Sequence, residues 1–127
     1  MKRTNLKWEK RGFTLVEIMI VVAIIGLLAV LALPSFLKSR KQSQGRRTVN
    51  DARQMDNAID EWAINNNIAD GANIDTSGVS SYLKSPWRTT DVLGKSYNVT
   101  VVGTTQIFIN TATKTSLAGV GIDWGTY

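Results

Sequence analysis

The sequence predicts an α+β chain: a long N-terminal helix, apolar in its first half and amphipathic in its second, packed on a small antiparallel sheet. Three observations predict it. An unbroken series of 16 residues from Ile18 to Leu33 is all apolar or glycine. Farther on, Val49, Ala52, Met55, Ile59, Trp62 and Ala63 recur at three- and four-residue steps, the spacing of one helical stripe. Beyond Asn67, short alternating segments separated by Gly, Asn and Ser replace that period, as strands and turns do.

The apolar element comes first. Adding Phe13–Glu17 to the series gives 21 residues, interrupted only by Thr14 and Glu17. As a helix they rise about 32 Å, the thickness of a bilayer's hydrocarbon core. The stretch is longer than the apolar region of a secretory signal peptide, and Pro34-Ser35-Phe36 does not match a small-residue cleavage site. The preceding residues are basic: Lys2, Arg3, Lys7, Lys10 and Arg11 stand against Glu9 alone. That bias favours an N-terminus on the cytoplasmic side and the rest of the chain beyond the membrane, although Lys38, Arg40, Lys41, Arg46 and Arg47 after the span weaken the asymmetry. It also accounts for most of the net charge of +5, since residues 13–127 carry ten basic and nine acidic side chains. The basic balance therefore belongs to residues 1–12, and nucleic acid is not expected as a partner.

Composition narrows the chemistry. The chain has no cysteine and no histidine, which removes disulfides, thiolate metal sites, the commonest general base and the commonest transition-metal ligand. No Ser–Lys or paired-carboxylate spacing supports catalysis. No enzymatic activity, cofactor or metal is expected. Asp123 is the only acidic residue after Asp91, too few carboxylates for a calcium loop.

Two residues at the start of the apolar run stand out. Glu17 is a carboxylate inside a membrane-length segment, where it costs several kcal/mol unless paired or near the interface. Gly12 precedes Phe13 where the basic stretch ends; a glycine there lets the backbone enter a protease groove without a side chain in the way.

The string Arg11-Gly12-Phe13-Thr14-Leu15-Val16-Glu17 resembles the processing site of type IV pilins and type II secretion pseudopilins. The resemblance covers roughly the first 34 residues and implies the following. A prepilin peptidase cuts between Gly12 and Phe13 and methylates the amine of Phe13. Residues 1–12 are then a removed leader, and residues 13–33 form a membrane helix that becomes a filament core. Cleavage creates an α-amine about 6 Å in depth from Glu17, and the amine of a neighbouring subunit pairs with that carboxylate during assembly. The implied partners are the peptidase, identical or related pilin subunits, and the inner membrane with its assembly platform. The implied location is a single pass through the inner membrane with the head outside the cytoplasm, followed by a filament. The implied fold is pilin-like.

Pro34 matches a helix proline of that family, and it kinks or opens the helix locally. Residues 34–65 then form the amphipathic half, with Asp51, Arg53, Asp56, Asp60 and Glu61 mostly off the stripe and Gly45 as a weak point. Asn65-Asn66-Asn67 ends the helix. Residues 66–127 form the head. Residues 66–95 read as loop with one short helical turn near Tyr82–Lys84. Tyr97–Val101 and Gln106–Asn110 read as a hairpin turning at Gly103-Thr104, with a third strand near Val120–Trp124.

Asp91-Val92-Leu93-Gly94-Lys95-Ser96-Tyr97 resembles the Asp-Pro-x-Gly-x-x-Tyr segment of pseudopilins, without its proline. The expected function is therefore a structural filament subunit, with a secretion pseudopilus favoured over a surface pilus. Lys84, Trp87, Arg88 and Lys95 are the candidates for a binding surface on the head.

Overall fold

The computed structural model describes residues 12–127, so most of the basic N-terminal stretch, and with it most of the expected leader, lies outside the described residues. The fold is α+β. Helix α1 spans Leu15–Asn65, 51 residues. Then come α2 (Thr76–Val79), a 3-10 turn (Ser80–Tyr82), β1 (Asn98–Val99), β2 (Ile107–Phe108) and α3 (Thr111–Ser116). Two compact units divide after Phe36.

Among the described residues of the first unit, the apolar side chains are exposed. Ile18, Val22, Ile25 and Leu28 are all at least half exposed, and the most apolar 18-residue window is 0 % buried. The helix is assigned through Pro34 without a break. Pro34 has no N–H to offer the preceding turn, so one hydrogen bond of the ladder is missing there.

The second unit has its own core. Val49, Ala52, Met55, Ile59, Trp62 and Ala63 are all buried and join Val79, Tyr97, Val102, Ile107 and Ile109 in one cluster. The expected stripe is thus the helix's core face. It is broader than the spacing shows, because Gly45, Thr48, Asp51 and Ala58 are buried too. Gly45 has a positive role: a Cβ there would lie 2.1 Å from Cδ1 of Ile122, so the absent side chain is what lets the C-terminal segment lie against the helix. Asp51 departs from its expected surface position. It is buried and paired with Arg88 at 3.6 Å.

The asparagine run ends α1 as a Schellman motif. Ile68 N–H donates to the Ala63 carbonyl at 2.9 Å, Asn67 N–H donates to the Ile64 carbonyl at 3.3 Å, and Asn67 takes φ +52°. That is the left-handed position where Asn substitutes for Gly.

The hairpin is present but shorter than expected, with Asn98 opposite Phe108 and Val99 opposite Ile107. Its far edge is met by the 71–73 loop: Gly71 N–H donates to the Val102 carbonyl at 2.7 Å and Val102 N–H donates to that of Ala72 at 2.9 Å. The expected third strand at Val120–Trp124 is not formed. Gly119, Gly121 and Gly125 all take positive φ, which breaks an extended run, while Ile122 and Trp124 pack on the core from a loop. The turn expected near Tyr82–Lys84 lies earlier, at Thr76–Tyr82, where the Asp75 carboxylate caps α2 by accepting from Ser77 N–H at 3.0 Å.

Helix α3 was not expected, because Thr-Ala-Thr-Lys-Thr-Ser is poor helix material. Tertiary contacts hold it. Thr113 and Leu117 are buried, Asn110 caps it by accepting from Ala112 N–H at 2.9 Å, and the Thr113 hydroxyl donates to Asp91.

Candidate functional site at the helix start

Gly12, Phe13 and Thr14 precede the first turn of α1, and all three are exposed. A Cβ built on Gly12 meets nothing within 4 Å among the described residues. No contact among the described residues requires glycine there. Phe13 is 85 % exposed and makes no packing contact that would explain an aromatic ring.

Glu17 has a defined geometry that the sequence reading missed. Thr14 N–H donates to Glu17 Oε2 at 2.7 Å, and Glu17 N–H donates to Thr14 Oγ1 at 3.2 Å. This reciprocal pair is a capping box, which satisfies two of the orphan donors of a helix N-terminus. The signal was present as Thr-x-x-Glu in front of an apolar run. The carboxylate also complements the positive end of the helix dipole. Glu17 is exposed in the single chain, and its Oε1 makes no hydrogen bond within the described residues. One chain therefore gives the carboxylate a local donor at Oε2 and leaves most of its acceptor capacity free for others.

Gly12, Phe13 and Glu17 are thus brought to one end of one helix. Pro34 lies 17 residues beyond Glu17 in the same helix and takes no part in this group. The head candidates do not converge on a surface: Trp87 packs on the core, Arg88 pairs with Asp51, and only Lys84 and Lys95 are exposed.

The Asp91–Tyr97 segment proves to be structural. Asp91 is buried, and its Oδ1 accepts from Leu93 N–H at 2.8 Å and Lys95 N–H at 2.9 Å. Gly94 takes φ +74°, which closes the turn at the position that needs glycine. The hydroxyl of buried Tyr97 donates to the Thr48 carbonyl on α1 at 3.3 Å. Burial is the first cause raising the pKa of Tyr97, with the charges of Asp51 and Asp91 adding to it.

Residues 9–33 match the model of the prokaryotic N-terminal methylation motif. The chain is 33 % identical over 90 residues to the type II secretion system core protein G of Escherichia coli (strain K12), covering 71 % of this chain and 59 % of that protein. It is 35 % identical over 60 residues to the protein of the same name from Pectobacterium carotovorum subsp. carotovorum, covering 47 % of this chain and 38 % of that one. It is 42 % identical over 65 residues to the type IV major fimbrial protein FimA of Dichelobacter nodosus, covering 51 % of this chain and 41 % of that protein. The chain therefore spans between 38 % and 59 % of the length of these relatives. No solved structure matches it.

Proposed function

We propose that this chain, with its methylation motif and its secretion and fimbrial relatives, is a structural subunit of a type IV-like filament, and specifically a type II secretion pseudopilin. A prepilin peptidase removes residues 1–12 and methylates Phe13. The subunit waits in the inner membrane with its head outside the cytoplasm and then joins related subunits through α1. It does no chemistry of its own.

One observation carries this reading: the apolar window of α1 is 0 % buried within its own chain. Exposed apolar area on that scale is stable only in lipid or against other subunits. Assembly moves it from the first environment to the second, and Glu17 moves with it. Unpaired, that charge opposes transfer into an apolar filament core; paired with a neighbour's α-amine, it fixes the step between subunits. Pro34, by interrupting the hydrogen-bond ladder, gives the helix a place to bend or open as it packs.

The secretion reading is supported over a surface pilus by the reach of one match, that to the Escherichia coli protein; the other secretion relative matches over 60 residues, fewer than the fimbrial protein's 65. Ninety residues of match to the Escherichia coli protein are more than α1 and everything before it contain, so that match includes part of the head. The 65 residues matched to the fimbrial protein need not include any.

The capping box makes the test sharper. Glu17→Ala removes both the cap and the charge, whereas Glu17→Gln keeps a residue suited to the cap and removes only the charge. Both variants should be processed normally, and both should give little sedimentable filament. A Glu17→Gln chain that assembles at normal yield would mean that Glu17 serves the helix end alone, and charge pairing would be wrong.

A further inference from the structure

The apolar stretch of α1 has a charged residue at each end. Between Glu17 and Lys38 lie 20 residues without a charge, about 30 Å of helix, one hydrocarbon thickness. At the far end the charge is all of one sign. Lys38, Arg40, Lys41, Arg46 and Arg47 follow, and no acidic residue occurs between Ile18 and Asn50. All five are exposed, and among the described residues none has an ion-pair partner.

The five are not equivalent. By helical rotation Lys38 and Lys41 fall on the side of α1 that carries the head through Gly45, Thr48, Ala52 and Ile59, whereas Arg40 lies about 110° round from the centre of that side and joins them by its depth alone. The head first reaches the helix at Gly45, through Ile122. Between Leu37 and Gly45 the helix runs about 12 Å, with Lys38, Arg40 and Lys41 exposed and Gln42 and Gln44 half-buried. The head-bearing side holds two cations there, Lys38 and Lys41, where a helix face about to enter a core would be expected to carry apolar residues. A headgroup layer is roughly 5–8 Å deep. Lys38–Lys41 begin within it, whereas Arg46 and Arg47 stand about 14 Å beyond Leu37.

We infer that Lys38, Arg40 and Lys41 form a docking band for the headgroups of anionic phospholipids, which sets the depth of the subunit in the membrane before assembly. Placement and charge complementarity both fit that occupant. This rests on the membrane location proposed above.

The test uses the full chain reconstituted in phosphatidylcholine vesicles with a trace of spin-labelled phosphatidylglycerol or spin-labelled phosphatidylcholine. The motionally restricted spectral component reports lipid beside the protein. The anionic label should be enriched there about threefold or more. Lys38→Gln, Arg40→Gln and Lys41→Gln together should remove at least half of that enrichment. Arg46→Gln with Arg47→Gln should remove less, and Lys84→Gln with Lys95→Gln none. An enrichment untouched by the first triple, or lost equally with the Lys84 and Lys95 pair, overturns the band. So does a triple that leaves the lipid ratio unchanged while abolishing retention on duplex DNA. Absence of any restricted component overturns both the band and the membrane reading, whereas a restricted component without anionic preference overturns the band alone.

Discussion

Residues 15–36 and 37–127 bury their apolar side chains by opposite means. In the first region the described apolar side chains are left exposed, and Ile25 is 60 % exposed. In the second, the same helix puts Ile59 at 0 % in a core completed by a hairpin, two loops and a C-terminal segment. One helix thus has two halves with different solvents. An apolar run that the chain does not cover declares a need for something outside the chain. An apolar stripe that the chain covers declares only that a domain folds.

The sharpest way to break that contrast is to make one change in both halves. Ile59→Ala should destabilise the head by about 2–5 kcal/mol, read as a fall in the thermal midpoint of the full chain in detergent. Ile25→Ala removes the same atoms and should leave that midpoint unchanged. If both lower it alike, the first half is packed on the head in solution and the contrast fails.

A smaller effect is expected where the C-terminal segment crosses the helix. Gly45→Leu drives a side chain into Ile122 and should cost about 1–3 kcal/mol. Ile122→Ala should suppress much of that loss in the double variant, because the obstruction is then gone. A Gly45→Leu chain as stable as the parent would show that the segment is not held there.

The smallest effect concerns Asp56. Its carboxylate is half-buried, and its Oδ2 accepts from the Tyr127 hydroxyl at 3.2 Å, while Oδ1 is buried without a partner. Burial is the first cause raising its pKa above the ordinary 3.8; the Tyr127 hydrogen bond opposes this and Asp60 adds to it. The folded head then holds this proton more tightly than the unfolded chain does. Its contribution is fully present below the unfolded value and is lost as pH rises through the folded one. Asp56→Asn should flatten that part of the pH–stability curve and leave the head slightly more stable at pH 7. A steeper curve would contradict the assignment.

The legible parts of the fold were those set by local period and caps. The stripe from Val49 to Ala63 and the stop at the asparagines follow from helix geometry alone. Helix α3 was hidden because its threonines favour other structures and the carboxylate that accepts from the Thr113 hydroxyl, Asp91, is far away in sequence. The expected strand at Val120–Trp124 failed because three glycines outweigh the alternation of Ile122 and Trp124. At the site, Gly12, Phe13 and Glu17 were visible as departures from a plain membrane anchor. The reciprocal hydrogen bonds between Thr14 and Glu17 match the Thr-x-x-Glu spacing, but that spacing alone does not separate a helix cap from a carboxylate held for a partner. The structure gives Glu17 a local partner, Thr14 N–H at Oε2, and leaves Oε1 without one among the described residues.

The central claim is that this helix is freed at Phe13 to polymerise. The most direct test is the mass and N-terminal sequence of the chain recovered from membranes of cells containing a prepilin peptidase. The account predicts a chain that begins at Phe13 and carries one methyl group on its amine, and a Gly12→Val chain that keeps residues 1–12. A native chain that retains those residues, or a Gly12→Val chain that is cut and methylated at Phe13, would contradict it.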